Sequence, residues 1–199
     1  MERYPRSSIL TSSSRLRRTI RRLNTGGQNG PLRRRERSEL PFIEEIDFVP
    51  KLLLDTTVYI DQLGGRMPAK VETIFLVAPL WHSTVTESEL SVLTGLLDPR
   101  HPDSARVIDR VTASIEGRPA HRIINPDRDI WCEAGILSGI IARLQQYGKA
   151  DQPRVLNDAL IFLSAAKEGL AVLTRNIADY DLLMQIAPHG QAVFYDLDE

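Results

Sequence analysis

The chain has 199 residues, of which 42% are hydrophobic and 26% charged. That is the balance of one globular domain with a tail, and too short for two comfortable domains. No apolar run reaches the ~18 residues of a membrane span, and a single cysteine, Cys132, excludes an internal disulfide or a multi-cysteine zinc site. The net charge of −1 conceals a division: residues 1–37 hold eleven arginines against only Glu2 and Glu36, a charge of +9, so the remainder carries −10.

A basic extension on an acidic body points to a polyanion partner, with a solvated arm of no specific role as the alternative. Residues 1–40 contain Ser12-Ser13-Ser14, Gly26-Gly27, Asn29-Gly30-Pro31 and Arg33-Arg34-Arg35. Apolar residues are too sparse there to offset the entropy of ordering, so an Arg-rich, disordered extension is expected. It would hold at most a short helix over Arg15–Leu23 with Ser14 as N-cap. The segment lacks the apolar stretch of a secretory signal; its Arg-rich, Ser-rich, acid-poor composition is also that of mitochondrial presequences. The domain proper is expected over 41–199. Cys132 lies in a helical pattern, where a buried, inert thiol is expected; a reducing, cytoplasmic setting is compatible with it.

From residue 41 onward short strands alternate with helices. The predicted strands are Lys51–Leu54, Leu80–Thr84, His121–Ile124, Ala171–Leu173 and Ala192–Tyr195. Helices are predicted at Thr57–Leu63, Pro68–Leu76, Thr86–Leu97, Ser104–Glu116, Ile130–Tyr147, Asn157–Glu168 and Asp179–Ile186. Apolar residues at 130, 134, 137, 141 and 144 draw one helical stripe. Gly64-Gly65 and Gly148 fit helix ends. The alternation argues for an α/β fold with a mostly parallel, five-stranded sheet covered on both faces. No glycine-rich phosphate loop, zinc-protease helix or serine-elbow pattern is present.

Open α/β sheets build their sites beyond the carboxyl ends of the strands. Asp55 follows the first strand, Glu89 lies in the helix after the second, Asp158 in a later helix, and Asp179 after the fourth strand and its loop. Glu89 aligns with Leu93 and Leu96, and Asp158 with Ile161, Phe162 and Ala165, on the apolar sides of their helices. Core-facing acids are costly unless paired or metal-bound. Converging carboxylates suit Mg²⁺ or Mn²⁺ through oxygen ligands. Local structural roles compete: Thr86-x-x-Glu89 reads as a capping box, Asp158 as a first-turn acid, and Asp179 as an N-cap.

Taken in order, these segments resemble PIN-domain ribonucleases of the VapC toxin type. Leu52-Leu53-Leu54-Asp55-Thr56-Thr57 is similar to the opening strand of that family, and Ser83 to Leu90 to its second block, which selects Glu89 over Glu87. Asn157-Asp158-Ala159-Leu160-Ile161 resembles the third block, and Glu168 to Tyr180 the last. Many members have an acid at the position of Asn176, so Asp179 stands as its substitute. The resemblance covers roughly residues 51–196 and implies a PIN-like αβα sandwich, a homodimer, an RNA substrate, and a cognate antitoxin partner. It also implies metal held by Asp55, Asp158 and Asp179, with Glu89 binding metal or orienting water, and Thr57, Thr174 and Asn176 in support. Three other readings compete. One is a PIN-fold nuclease of RNA processing or DNA without a toxin role, and another a catalytically silent RNA- or protein-binding PIN-like domain. The third, a phosphoacceptor receiver domain, lacks the late lysine it would need.

Overall fold

Three consecutive leucines, Leu52–Leu54, form β1, and all three are buried. A parallel strand covered on both faces requires such an unbroken apolar run. The computed structural model describes residues 16–23, 30–46 and 49–197. Beside β1 lie β2 (Leu80–Ser83), β3 (Ile123–Ile124), β4 (Ala171–Thr174) and β5 (Gln191–Phe194). The sheet runs β3-β2-β1-β4-β5, with every pairing parallel. Leu52 is in register with Leu80 and with Ala171, so β1 is central.

The helices are α1 (residues 16–22), α2 (Thr56–Leu63), α3 (Ala69–Val77), α4 (Thr84–Gly95), α5 (Ser104–Glu116), α6 (Arg128–Gln145), α7 (Gln152–Lys167) and α8 (Ile177–Ile186). Strand side chains alternate between two cores, as the period of two dictates. Leu53, Val172, Ala192 and Phe194 pack with α6 and α7. Leu52, Leu54, Leu173 and Val193 pack with Val58, Val71, Ile74 and Leu90 on the other side. This is the expected PIN-like αβα sandwich.

The buried residues of α6 are Ile130, Ala134, Leu137, Ile141 and Leu144, the stripe read from the sequence. Cys132 falls off that stripe and is exposed, so the expectation of a buried thiol is corrected. α6 is closed by Gln146 in the left-handed conformation, φ 55°, two residues before Gly148. Gly190 is required for packing: a Cβ there would lie 2.4 Å from the Phe162 ring.

A boundary at residue 40/41 cuts through packed structure. Residues 41–43 lie along the free edge of β5: Ile43 N–H donates to Phe194 O at 2.8 Å, and Phe194 N–H to Pro41 O at 2.9 Å. Phe42 enters the α6/α7 core and Ile43 the opposite one, which continues the sheet's alternation. Edge cover of this kind removes unpaired backbone groups. Upstream, Leu40 and Leu23 are buried in the α6/α7 core, and Arg35 binds the buried Asp181 through its Nε at 2.6 Å and its backbone N–H at 2.9 Å. Apolar content alone understated this segment, because a few well-spaced apolar residues and one buried ion pair suffice to dock it. The expected disorder of 1–15 and 24–29, and Ser14 as a cap, lie outside the described residues. No helix among the described residues is long and apolar enough to cross a membrane.

Candidate functional site

Asp55 is delivered to the carboxyl edge by β1 and caps α2, its side chain accepting from Thr57 N–H at 3.3 Å. Thr57 Oγ1 and Thr174 Oγ1 donate to its Oδ2 at 2.7 and 2.8 Å, and the buried Tyr180 hydroxyl to its Oδ1 at 3.1 Å. Three hydroxyls from two helices and a strand thus hold one buried carboxylate in a single orientation.

Glu89 does not close a capping box. The N-cap of α4 is Ser83, whose side chain accepts from Val85 N–H. Glu89 lies a turn deeper in the helix, where it receives the Thr56 hydroxyl and, at 2.9 Å, the Asn157 amide. Its neighbours on the expected stripe are exposed: Leu93 is 42% and Leu96 78% accessible. The buried face of α4 is Val85, Thr86 and Leu90, so Glu89 faces inward with Val85 and Thr86, four and three residues before it, while Leu93, one turn further along the same side, is exposed. Burial raises its pKa, the donated hydrogen bonds opposing and the nearby Asp55 charge adding.

Asp158 is not a first-turn acid, because α7 starts at Gln152 with Pro153 in its first turn. The side chain is buried, and its pKa is pushed well up by that burial and then by the charges of Asp55 and Glu89; Arg154 and Asn176 act against them. Asn176 caps α8, its Oδ1 accepting from Asp179 N–H at 3.3 Å. Its Nδ2 then donates to Asp158 Oδ2 at 3.2 Å and Asp179 Oδ2 at 3.0 Å. An amide that turns its N–H groups toward two carboxylates joins them and offers no oxygen on that side. Asp179 is therefore held by the cap and is not the cap itself. It also pairs with Arg154 and accepts from the Tyr147 hydroxyl at 3.4 Å.

All four acids lie at the carboxyl edge of the sheet. Asp55, Glu89 and Asp158 feel one another's charge, and Asp179 joins through Asn176. Among the described residues, no three His, Cys, Asp or Glu side chains are drawn close enough to grip one metal ion. The donor chemistry nevertheless fits a hard cation: oxygen ligands only, and buried like charge that a divalent ion would relieve. Sequence reasoning missed Thr56, Tyr147, Arg154, Asn157 and Tyr180. Arg154 stands four residues before Asp158, a helical neighbour, but that spacing carries meaning only once α7 is known to begin at Gln152.

The chain matches no family model and no curated protein. It is similar to solved structures, among them a DNA-bound VapBC complex from Salmonella typhimurium, at 20% identity and TM-score 0.51, covering 73% of this chain and 97% of that one. Another is FitAB bound to an IR36 DNA fragment, at 19% identity and TM-score 0.50, covering 74% and 98%. These are DNA-bound complexes, and identities this low speak to the fold alone. The assignment to VapC-type toxin ribonucleases is accordingly corrected: resemblance in four short blocks does not establish the family. The chain has a PIN-like fold with buried, mutually repelling carboxylates at the carboxyl edge of its parallel sheet, where open α/β sheets form their sites.

Proposed function

We propose that this protein is a divalent-metal-dependent nuclease that hydrolyses phosphodiester bonds in RNA. The observation that carries the reading is Asp158, a buried acid set against Asp55 and Glu89 with its charged form strongly disfavoured. Such an arrangement is costly for folding and serves a site that receives a cation. Asp55, Glu89, Asp158 and Asp179 would hold Mg²⁺ or Mn²⁺, which supplies a lowered water pKa and charge stabilisation at phosphorus. The protein's own part is orientation. Thr57, Thr174 and Tyr180 fix Asp55; Thr56 and Asn157 fix Glu89, which would bind metal or orient a water. Asn176 sets the spacing of Asp158 and Asp179.

An antitoxin-like protein partner is part of this reading, by analogy with the two-component complexes of the same fold. So is a homodimer, supported by exposed Leu76 and Val77 on α3 and Val92, Leu93 and Leu96 on or beside α4. The test is cleavage of total RNA by the full chain with Mg²⁺, with Mn²⁺ and with EDTA, beside Asp55→Asn. Metal-dependent cleavage lost in the variant is expected. No cleavage with either metal, or equal cleavage by the variant, overturns the proposal.

A further inference from the structure

The acidic edge is bordered by a fixed basic lip. Residues 32–35 cross the end of α6 and the side of α8, held at three of four positions. Gln145 Nε2 donates to Leu32 O at 3.3 Å, Gln185 Nε2 to Arg33 O at 3.0 Å, and Arg35 is bound by Asp181. The position left without such an anchor is Arg34. Its side chain is exposed and its Nη2 donates to the Tyr147 hydroxyl at 3.4 Å. The same hydroxyl donates to Asp179, and the Arg154 guanidinium lies 5.9 Å from the Tyr147 ring centroid while pairing with Asp179. Arg154 keeps 48% of its side chain accessible. Two cations from segments far apart in the chain therefore meet one half-buried tyrosine at the rim of the carboxylates, Arg34 at its hydroxyl and Arg154 toward its ring.

We infer that Arg34, Tyr147 and Arg154 form the docking site for a single-stranded nucleic acid, the arginines taking backbone phosphates and Tyr147 a base. The inference rests on the proposed nuclease reading for its substrate class. A strand approaching a net-acidic body is repelled unless cations stand at its entry. The anchoring at Leu32, Arg33 and Arg35 lowers the entropy lost when Arg34 engages a phosphate. Aromatic rings set beside phosphate-binding cations are how single strands are held without sequence readout.

The experiment is anisotropy of a short, unstructured, fluorescein-labelled RNA with the full chain in EDTA, titrated at several NaCl concentrations. Arg34→Gln and Arg154→Gln are each expected to weaken binding and to flatten the slope of log affinity against log salt by about 0.7 for each phosphate that is no longer neutralised. Arg106→Gln removes an exposed charge on α5 that pairs with Asp103; α5 packs on α4, and this variant should leave the slope unchanged. The matching DNA strand should show the same weakening, because the arginines engage phosphate. An unchanged slope in both lip variants, or an equal flattening in Arg106→Gln, overturns the inference. Melting curves verify that each variant is folded. Since EDTA removes metal, a flattened slope without any metal-dependent cleavage would leave the lip standing and remove the nuclease reading. Cleavage with unaltered slopes would do the reverse.

Discussion

Two buried acids in this molecule have opposite surroundings. Asp61 is fully buried, and its two oxygens accept from Arg175 at 2.7 and 3.2 Å, Arg66 at 3.0 Å and Tyr195 at 2.9 Å. Its charge is answered by two guanidinium groups. Asp158 is nearly as buried, yet it accepts one amide and faces two further acids. The first arrangement is closed: removing a partner exposes a desolvated charge. The second is open: hydroxyls and amides orient the like charges without neutralising them, and Arg154, which pairs with Asp179, does not outweigh them at Asp158. Burial alone thus does not mark a functional acid; burial among like charges that nearby cations do not outweigh does.

The largest effect that would sharpen this contrast is on activity. Asp55→Asn keeps the shape of the site while removing a charge, so cleavage in saturating Mg²⁺ should fall by at least about 10²-fold with the Tm little altered. Initial rates on a labelled RNA measure it. Asp61→Ala should act the other way. Stranding Tyr195 and Arg175 is expected to cost about 2–4 kcal/mol, a Tm drop on the order of 10 °C, with cleavage retained below the transition. If Asp61→Ala abolished cleavage without lowering the Tm, the contrast between closed and open acids would collapse.

Asp158→Asn should raise stability. Its folded-state pKa lies above the unfolded value, so its contribution is fully present below about pH 4 and lost as pH rises through the folded pKa. In EDTA at pH 7 the variant should melt higher, by about 2–4 °C for each kcal/mol relieved, and the difference should vanish toward pH 4. Melts across that range decide it. The smallest effect is expected at His82, which accepts or donates at Tyr59 Oη and whose pKa is lowered to about 4 by burial, with Arg118 and Arg122 adding. Here the sign reverses: stability present above about pH 6.5 is lost as pH falls toward 4. His82→Gln should slightly flatten the acid limb. A steeper limb in that variant would show that another group governs it.

The alternation of strands and helices, the parallel sheet and the α6 stripe were legible in the chain itself, because periodicity records which side of an element is dry. Asp55 was legible too: an acid directly after three leucines can only stand at a strand's end. What tertiary structure alone decided was where charges find partners. The local roles suggested for Glu89, Asp158 and Asp179 fell with the true helix starts at Thr84, Gln152 and Ile177. Helix starts depend on packing as well as on local residues. Asp61 and Asp158 look alike in one dimension, since nothing local states that Arg175 will meet the first and Asp55 the second. Likewise residues 32–40 read as polar and loose until Asp181 offers a buried charge, and 41–43 reveal their role only where β5 offers an unpaired edge. Those pairings span about 150 residues, and only the folded chain brings their halves together.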